Sequence, residues 1–319
     1  MHSSKRLSAG TVLMLTLPPL LWAGNAVVGR LMVGHIAPLA LSFCRWFFAL
    51  LALLPFSAVS LWRGRALLRR HWVVLARQGF LGVACYNSIQ YVALHTTTPL
   101  KVSLITSASP VFVTLLGAAL YGESIGAAAW GGSLLSVAGV AVVVTGGHVL
   151  RLASLHLASG DLMMLLAVFL WALYTWDLRR NPVALPRLGL LAAQVAWGTL
   201  FIAPLAAWER WGLGHVTHWS PSVALAIGYV ALFASVLAYA CWGAAVARVG
   251  AQIPSYFGNL APVFAALLAY VFLGEGIALY HVVGAALIFA GIHVALRGRA
   301  SAAVPALREP VAGPNSLDP

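Results

Sequence analysis

Long uninterrupted apolar stretches alternate with short polar segments along the whole chain. A helix that crosses the ~30 Å hydrocarbon core of a bilayer needs about 20 mostly apolar residues. The stretches are continuous and do not alternate residue by residue, which favours helices over the strands of a barrel. The pattern predicts an all-α membrane protein with ten transmembrane helices, at 11–33, 37–60, 73–94, 99–121, 127–147, 160–178, 187–207, 221–242, 250–273 and 278–296.

The composition agrees with this pattern. Of 319 residues, 61% are hydrophobic and only 8% are charged, whereas about a quarter of a soluble domain carries charge. Lys5 and Arg6 before the first stretch resemble the start of a signal peptide, but 11–33 is long enough to span a bilayer and is interpreted as a retained helix. Residues 1–10 are the predicted N-terminal segment, and the Ala- and Pro-rich tail within 297–319 is predicted to be disordered.

The charges predict an orientation. The net charge is +12, from 19 Lys and Arg against 7 Asp and Glu. Short cytoplasmic loops are enriched in Lys and Arg, so both termini are predicted to lie in the cytoplasm, with the protein in a cell membrane, the inner membrane of a bacterium. This orientation places inside Lys5, Arg6, Arg63, Arg65, Arg69, Arg70, Arg179, Arg180, Arg187, Arg248, Arg297, Arg299 and Arg308, and outside only Arg30, Lys101, Arg151 and Arg210.

This positive charge therefore indicates topology and a lipid bilayer partner, not nucleic-acid binding. The three cysteines, Cys44, Cys85 and Cys241, lie in apolar stretches without short spacing, so neither a disulfide, a metal site nor a cofactor is predicted. The sequence also lacks the catalytic motifs HExxH and GxSxG, and its only lysines, Lys5 and Lys101, cannot complete a P-loop. An enzyme is not predicted; a channel stays an alternative, which unsaturable flux would distinguish from a carrier.

The two halves of the chain repeat each other. A shift of 152 residues aligns Pro110-Val111-Phe112 with Pro262-Val263-Phe264, Gly122-Glu123 with Gly274-Glu275, and Gly139 with Gly291. The repeat predicts two units, 11–147 and 160–296, with five spans each. Because an odd number of spans reverses the direction of the next unit, the copies are predicted to be inverted. Transporters with inverted repeats bind a small-molecule substrate near the membrane midplane, between the halves.

With this repeat, the sequence resembles the drug/metabolite transporter superfamily, in particular its EamA-like family. The resemblance covers residues 11–296 and rests on Trp22-Ala23-Gly24-Asn25, Arg30, Arg45, Asn87, Tyr91, Ala93-Leu94, Pro110, Gly122-Glu123, Pro262, Gly274-Glu275, Gly284 and Gly291. It implies two five-helix domains and transport of amino acids, related metabolites or toxic compounds. Export of amino acids or related metabolites is our first expectation, and multidrug or toxic-compound efflux the alternative. Oligomeric state stays open.

Polar and aromatic residues on the predicted helices form the candidate substrate site. Amide and hydroxyl groups bind polar substrates, and aromatic rings form apolar walls; packing between helices is the alternative role for the amides. Asn87, Gln90 and Tyr91 share one helical face. The candidates are Trp22, Asn25, Arg45, Tyr86, Asn87, Gln90, Tyr91, Thr106, Trp171, Tyr174, Tyr239, Trp242, Tyr256 and Asn259, with Pro110 and Pro262 as kinks or gates within their spans.

Arg45 is the charge predicted deepest in the membrane. It either attracts a carboxylate or phosphate of the substrate, or holds backbone carbonyls as a structural residue. The second half has Tyr174 near the position of Asn25 and Ala193 near that of Arg45, so the two halves are chemically unequal. All acidic residues fall in loops, tails or the ends of spans, which predicts facilitated exchange or weak proton coupling.

Overall fold

The computed structural model describes residues 8–123, 126–148, 150, 158–273 and 276–302, and within these ranges it is helical without strands. Two π-helical segments, Gly79–Cys85 and Leu232–Leu237, connect helices in the middle of spans. The α-helices are α1 (Ala9–Leu31), α2 (Pro38–Arg63), α3 (Arg65–Arg70), α4 (Trp72–Gln78), α5 (Tyr86–Ala93), α6 (Pro99–Thr106), α7 (Ser109–Tyr121), α8 (Ala127–Val144), α9 (Ser159–Arg180), α10 (Arg187–Trp211), α11 (Pro221–Ala231), α12 (Ala238–Val249), α13 (Gln252–Gly258), α14 (Ala261–Leu273) and α15 (Leu279–Ala302).

Helix occupies each of the ten predicted ranges, and in the described part of the chain eight stretches are long and apolar enough to cross a membrane. The two ranges outside these eight are 73–94, which contains Arg77 and Gln78, and 250–273, which is interrupted after Gly258. The chain is thus a multi-pass helical membrane protein, while the count of ten stays a prediction. Glu275 and the tail from Ala303 lie outside the described residues.

Pro110 and Pro262 each lie in the first turn of a helix that follows a break in the predicted span. After α6 ends at Thr106, a two-residue turn precedes α7, and Pro110 is the second residue of α7. The same break separates α13 from α14, where Pro262 is again second. Proline fits the first turn of a helix because its missing N–H has no helical acceptor there. It also leaves the carbonyl four residues earlier, on Thr106 or Gly258, without its helical donor.

Glycines let α8 and α15 pack closely. A Cβ atom on Gly132 would lie 2.6 Å from the carbonyl oxygen of Gly291, and one on Gly139 would lie 2.7 Å from that of Gly284. Small residues permit such close approach between membrane helices. Gly131, on the same helix as Gly132, has no neighbour within 4 Å of its Cβ position. The 152-residue shift exchanges the two contacts: it moves Gly132 onto Gly284 and Gly139 onto Gly291.

Ion pairs attach both ends of α9 to the first half of the chain. Near its start, Asp161 binds Lys101 at 2.9 Å and accepts a hydrogen bond from the Thr97 hydroxyl. Near its end, Asp177 pairs with Arg77 at 2.5 Å. Glu209 lies near the end of α10 and accepts hydrogen bonds from the first backbone N–H groups of α2, at Leu39 and Ala40. These buried acids therefore lie at helix ends, as predicted, where each has a cationic or backbone partner.

Candidate functional site

A cavity of about 360 Å³ lies between helices of both halves. The first half contributes residues of α1, α5 and the α6–α7 break, and the second half contributes α9, α12 and the α13–α14 break. The predicted site residues that line it are Trp22, Asn25, Tyr86, Asn87, Gln90, Thr106, Trp171, Tyr239, Trp242 and Asn259, together with Pro262. The structure thus brings ten of the fourteen candidate binding residues to one cavity.

Four candidate binding residues and Pro110 lie outside the cavity wall, which corrects their placement. Arg45 and Tyr91 lie behind the wall, hydrogen-bonded to residues that form it. Tyr174 packs on Gly82 and donates to Gln194, and Tyr256 donates to the Ala129 carbonyl at 3.2 Å. A ring on an apolar helix can face a cavity or pack on a neighbouring helix, and spacing along one helix does not reveal which.

The cavity wall also includes residues that were not among the candidates. Ser109 lies beside the α6–α7 break, Ser255 lies on α13, and His281 lies near the start of α15. Ser255 occupies the position of Ser103 after the 152-residue shift, and Ser103 also lines the cavity. The repeat therefore carried a signal that could have identified Ser255.

Arg45 is the centre of a buried hydrogen-bond network. Its side chain is fully buried, at 0% exposure. The two N–H bonds of its Nη1 are shared among three oxygens, Asn25 Oδ1 at 2.9 Å, Asn87 Oδ1 at 2.7 Å and the Tyr91 hydroxyl at 3.0 Å. The remaining two bonds run from Nε to Ser235 Oγ and from Nη2 to the Ala234 carbonyl oxygen. A charge at this depth is costly in a membrane unless protein acceptors surround it, and five neutral oxygens do so here.

The π-helical segments supply backbone acceptors to this network. A π-helical turn departs from the regular i to i−4 ladder and is frequent at functional sites. Gly82 lies in the first segment, and its carbonyl accepts from the Tyr239 hydroxyl at 2.7 Å. Ala234 lies in the second, and its carbonyl accepts from Arg45 and from Trp22 Nε1, both at 2.9 Å. Gly82 and Ala234 are 152 residues apart, so the two acceptors occupy the same place in each repeat.

Aromatic rings form one side of the cavity. Trp22 meets Trp171 edge to face with ring centroids 5.4 Å apart, and it contacts Tyr239 at 5.8 Å and Trp242 at 5.4 Å. Such pairs are attractive beyond the area they bury. Trp22 comes from the first half and the other three from the second, so the cluster joins the halves.

The cavity lining contains no Asp or Glu from the described ranges. Likewise, no cluster of three or more His, Cys, Asp or Glu that could hold a metal occurs there. The arrangement therefore offers amides, hydroxyls and rings to a ligand, with the positive charge of Arg45 behind the wall.

These features, several helices long and apolar enough to span a membrane and a cavity lined by both halves of the chain, are those of a polytopic membrane transporter. The chain belongs to the EamA-like transporter family, whose profile matches residues 9–145 and again residues 158–297. This confirms the family predicted from the sequence and its two domains of that type.

The chain is similar to curated transporters along most of its length. An uncharacterized transporter of Archaeoglobus fulgidus is 29% identical over 90% of this chain and 98% of its own. A probable amino-acid metabolite efflux pump of Salmonella typhimurium is 30% identical over 61% of this chain and 67% of its own. A probable terminal-alkyne amino-acid exporter of Streptantibioticus cattleyicolor is 31% identical over 60% and 61%.

A chain of known crystal structure is 24% identical and superposes with a TM-score of 0.71, covering 91% of this chain and 97% of that chain. At this level of identity the likeness shows a shared fold.

Proposed function

We propose that the protein is a secondary transporter that exports a small polar metabolite, an amino acid or a related compound, by alternating access. The observation that carries this proposal is the cavity between the halves. Residues at equivalent positions of the two repeats contact each other in its wall. Asn87 Nδ2 donates to the Tyr239 hydroxyl at 2.8 Å, and these residues are 152 positions apart. Contact between equivalent residues is expected where a pseudo-twofold axis passes through the molecule, and inverted-repeat transporters bind substrate beside such an axis.

Further contacts support an inverted arrangement of two five-helix units. The glycine contacts between α8 and α15 exchange with each other under the repeat. The helix breaks after Thr106 and Gly258 are also 152 residues apart, and both line the cavity. In transporters of known mechanism, discontinuous helices surround the substrate near the midplane. With the excess of Lys and Arg on one side, the proposal places both termini in the cytoplasm and the protein in the bacterial inner membrane.

The cavity suits an uncharged or zwitterionic solute. Its volume, about 360 Å³, falls at the small end of the ~300–1,000 Å³ that ligand pockets occupy. Its amides and hydroxyls would bind polar groups, and its rings would contact an apolar side chain. Two relatives, a probable terminal-alkyne amino-acid exporter and a probable amino-acid metabolite efflux pump, agree with this substrate class. Because acids are absent from the described cavity wall, we propose facilitated exchange or weak proton coupling.

Efflux of cationic drugs is the second candidate, since Trp22, Trp171 and Trp242 could hold a cation by its attraction to aromatic rings.

A counterflow assay distinguishes the two candidate functions. Purified protein in proteoliposomes is preloaded with one unlabelled solute from a panel of amino acids, nucleosides and cationic drugs, and entry of the labelled solute is followed. We expect saturable counterflow for amino acids. Counterflow for cationic drugs alone would favour the second candidate, and unsaturable flux without counterflow would indicate a channel.

A further inference from the structure

The guanidinium of Arg45 dictates the direction of the hydrogen bonds around it. It has five N–H donors and no acceptor, so each group that it binds must present an oxygen. Asn25 Oδ1 faces it at 2.9 Å and also accepts from the Tyr91 hydroxyl at 2.7 Å. The amide of Asn25 is therefore fixed in one orientation, with its Nδ2 pointing away from Arg45.

This orientation is passed on to Gln90. Asn25 Nδ2 donates to Gln90 Oε1 at 3.1 Å, which requires Gln90 to turn its oxygen towards Asn25. Gln90 Nε2 then faces the other way. The residue is 5% exposed and lines the cavity, and among the described residues none accepts a hydrogen bond from Nε2. One branch of the Arg45 network thus ends in an unpaired donor on the cavity wall.

The second branch ends differently. Asn87 Oδ1 accepts from Arg45 at 2.7 Å, Asn87 Nδ2 donates to the Tyr239 hydroxyl, and that hydroxyl donates to the Gly82 carbonyl. Every group along this branch has its partner. Both branches reach the cavity wall, but the branch through Asn25 is the one that ends in a donor without a partner among the described residues.

Trp242, another residue of the cavity wall, holds a second unpaired donor behind its ring. Trp242 is 3% exposed, and its buried Nε1 has no hydrogen-bond partner in the described part of the chain. An indole N–H can only donate. Leaving a donor unpaired in a buried site is costly, and a ligand with acceptor oxygens would remove that cost at Gln90 Nε2 on the cavity wall.

The charge of the site also favours a ligand with a negatively charged group. The ion pairs seen among the described residues join other cations, while Arg45 binds only neutral oxygens. Its buried positive charge therefore lacks a protein counter-ion in this part of the structure, and no acidic side chain on the described wall would repel an anion.

We infer that the cavity binds the carboxylate group of its substrate at Gln90 Nε2. Arg45 is the positioning residue that makes Gln90 present this donor to the cavity. This inference rests on the proposed function and specifies how the substrate is oriented. Arg45 does not touch the substrate: it fixes the amides of Asn25 and Gln90, and its charge stabilises the bound carboxylate from behind the wall.

Two isosteric variants test the inference. Gln90→Glu still offers an oxygen to Asn25 but replaces the donor with a negative charge. Asn25→Asp changes the residue between Arg45 and Gln90. The new carboxylate accepts from Arg45 and Tyr91 but cannot donate to Gln90. Gln90 must then turn its Nε2 towards residue 25 and its oxygen towards the cavity. We expect both variants to raise the KM for amino acids at least about tenfold, because a hydrogen bond to a charged group strengthens binding by about tenfold or more. Gln90→Leu, which removes the donor without adding charge, is expected to have a smaller effect in the same direction.

The readout is counterflow of the twenty protein amino acids, with each compared in competition with its amide and its decarboxylated amine. For the unaltered chain we expect amino acids to compete at least about tenfold better than the amines, and for both variants we expect this preference to disappear while inhibition by the amines is kept. A purely structural defect would weaken amino acids and amines alike and would overturn the inference. Saturable amino-acid counterflow with an unchanged KM in the variants would overturn it while leaving the proposed function intact. Absence of counterflow for every amino acid in the unaltered chain would overturn both.

Discussion

At the scale of single residues, Arg45 shows how a charge can lie inside the membrane part of a protein. Its five acceptors come from α1, α5 and the second π-helical segment, so the side chain joins both halves. Of the two roles that the sequence leaves open, direct contact with a substrate anion does not fit its position behind the wall. The structural role fits in part, because one acceptor is a backbone carbonyl while four are side chains.

Arg45→Lys is expected to destabilise the protein by about 2–4 kcal/mol. Lysine holds its donors on one nitrogen, which cannot reach all the oxygens that lie around the three separate nitrogens of arginine, so some of the buried oxygens lose their partner. Thermal unfolding of the detergent-solubilised protein measures the effect. Arg65→Lys, on an exposed arginine of α3, is the matched control and should be close to neutral. Equal melting temperatures for the two variants would contradict the role assigned to Arg45.

At the scale of helices, the most informative elements are those that depart from regular α-helix. The π-helical segments and the two helix breaks all occur at equivalent places in the two repeats, and they supply backbone groups or turns to the cavity and its network. The prolines that open α7 and α14 explain the breaks. The regular helices α8 and α15 instead pack tightly against each other through their glycines.

The α8–α15 pair gives a prediction for a single methyl group. Gly139→Ala places a Cβ within 2.7 Å of the Gly284 carbonyl oxygen, and we expect a loss of about 1–3 kcal/mol from overpacking. Gly131→Ala on the same helix, where the new Cβ meets nothing within 4 Å, should keep or slightly raise stability, because alanine favours helix over glycine. Thermal unfolding compares the two, and an equal or smaller loss in Gly139→Ala would show that the contact is not close.

The sequence predicted the helices well and the site partially, for physical reasons. Length and hydrophobicity alone determine a membrane helix, so helix occupies every predicted range, although α10 extends to Trp211, beyond the predicted end at 207. The π-helical segments have no composition that distinguishes them from α-helix, so no sequence pattern indicated them. Gln90 lines the cavity, whereas Arg45 lies one layer behind it. Which of these positions a polar residue takes depends on packing between helices that are distant in sequence.

At the scale of the whole molecule, the proposal depends on five spans in each half. Truncated fusions to alkaline phosphatase, which is active only outside the cytoplasm, test this parity. A fusion after residue 150 should be active because an odd number of spans precedes it, and a fusion after residue 302 should be inactive. Green fluorescent protein at the same two positions should give the opposite pattern. Activity of one reporter at both positions would contradict the inverted arrangement.

The most direct test of the central claim blocks the cavity. Gly258 lines it, and a Cβ there meets no atom within 4 Å, so Gly258→Phe is expected to fill the cavity without disturbing the helix. Gly131→Phe adds the same ring at an exposed position on α8. In proteoliposomes with equal amounts of folded protein, we expect amino-acid counterflow to fall at least about tenfold in Gly258→Phe, as a steric block of the binding site would require, and to be retained in Gly131→Phe. Undiminished counterflow in Gly258→Phe would show that the substrate does not pass through this cavity.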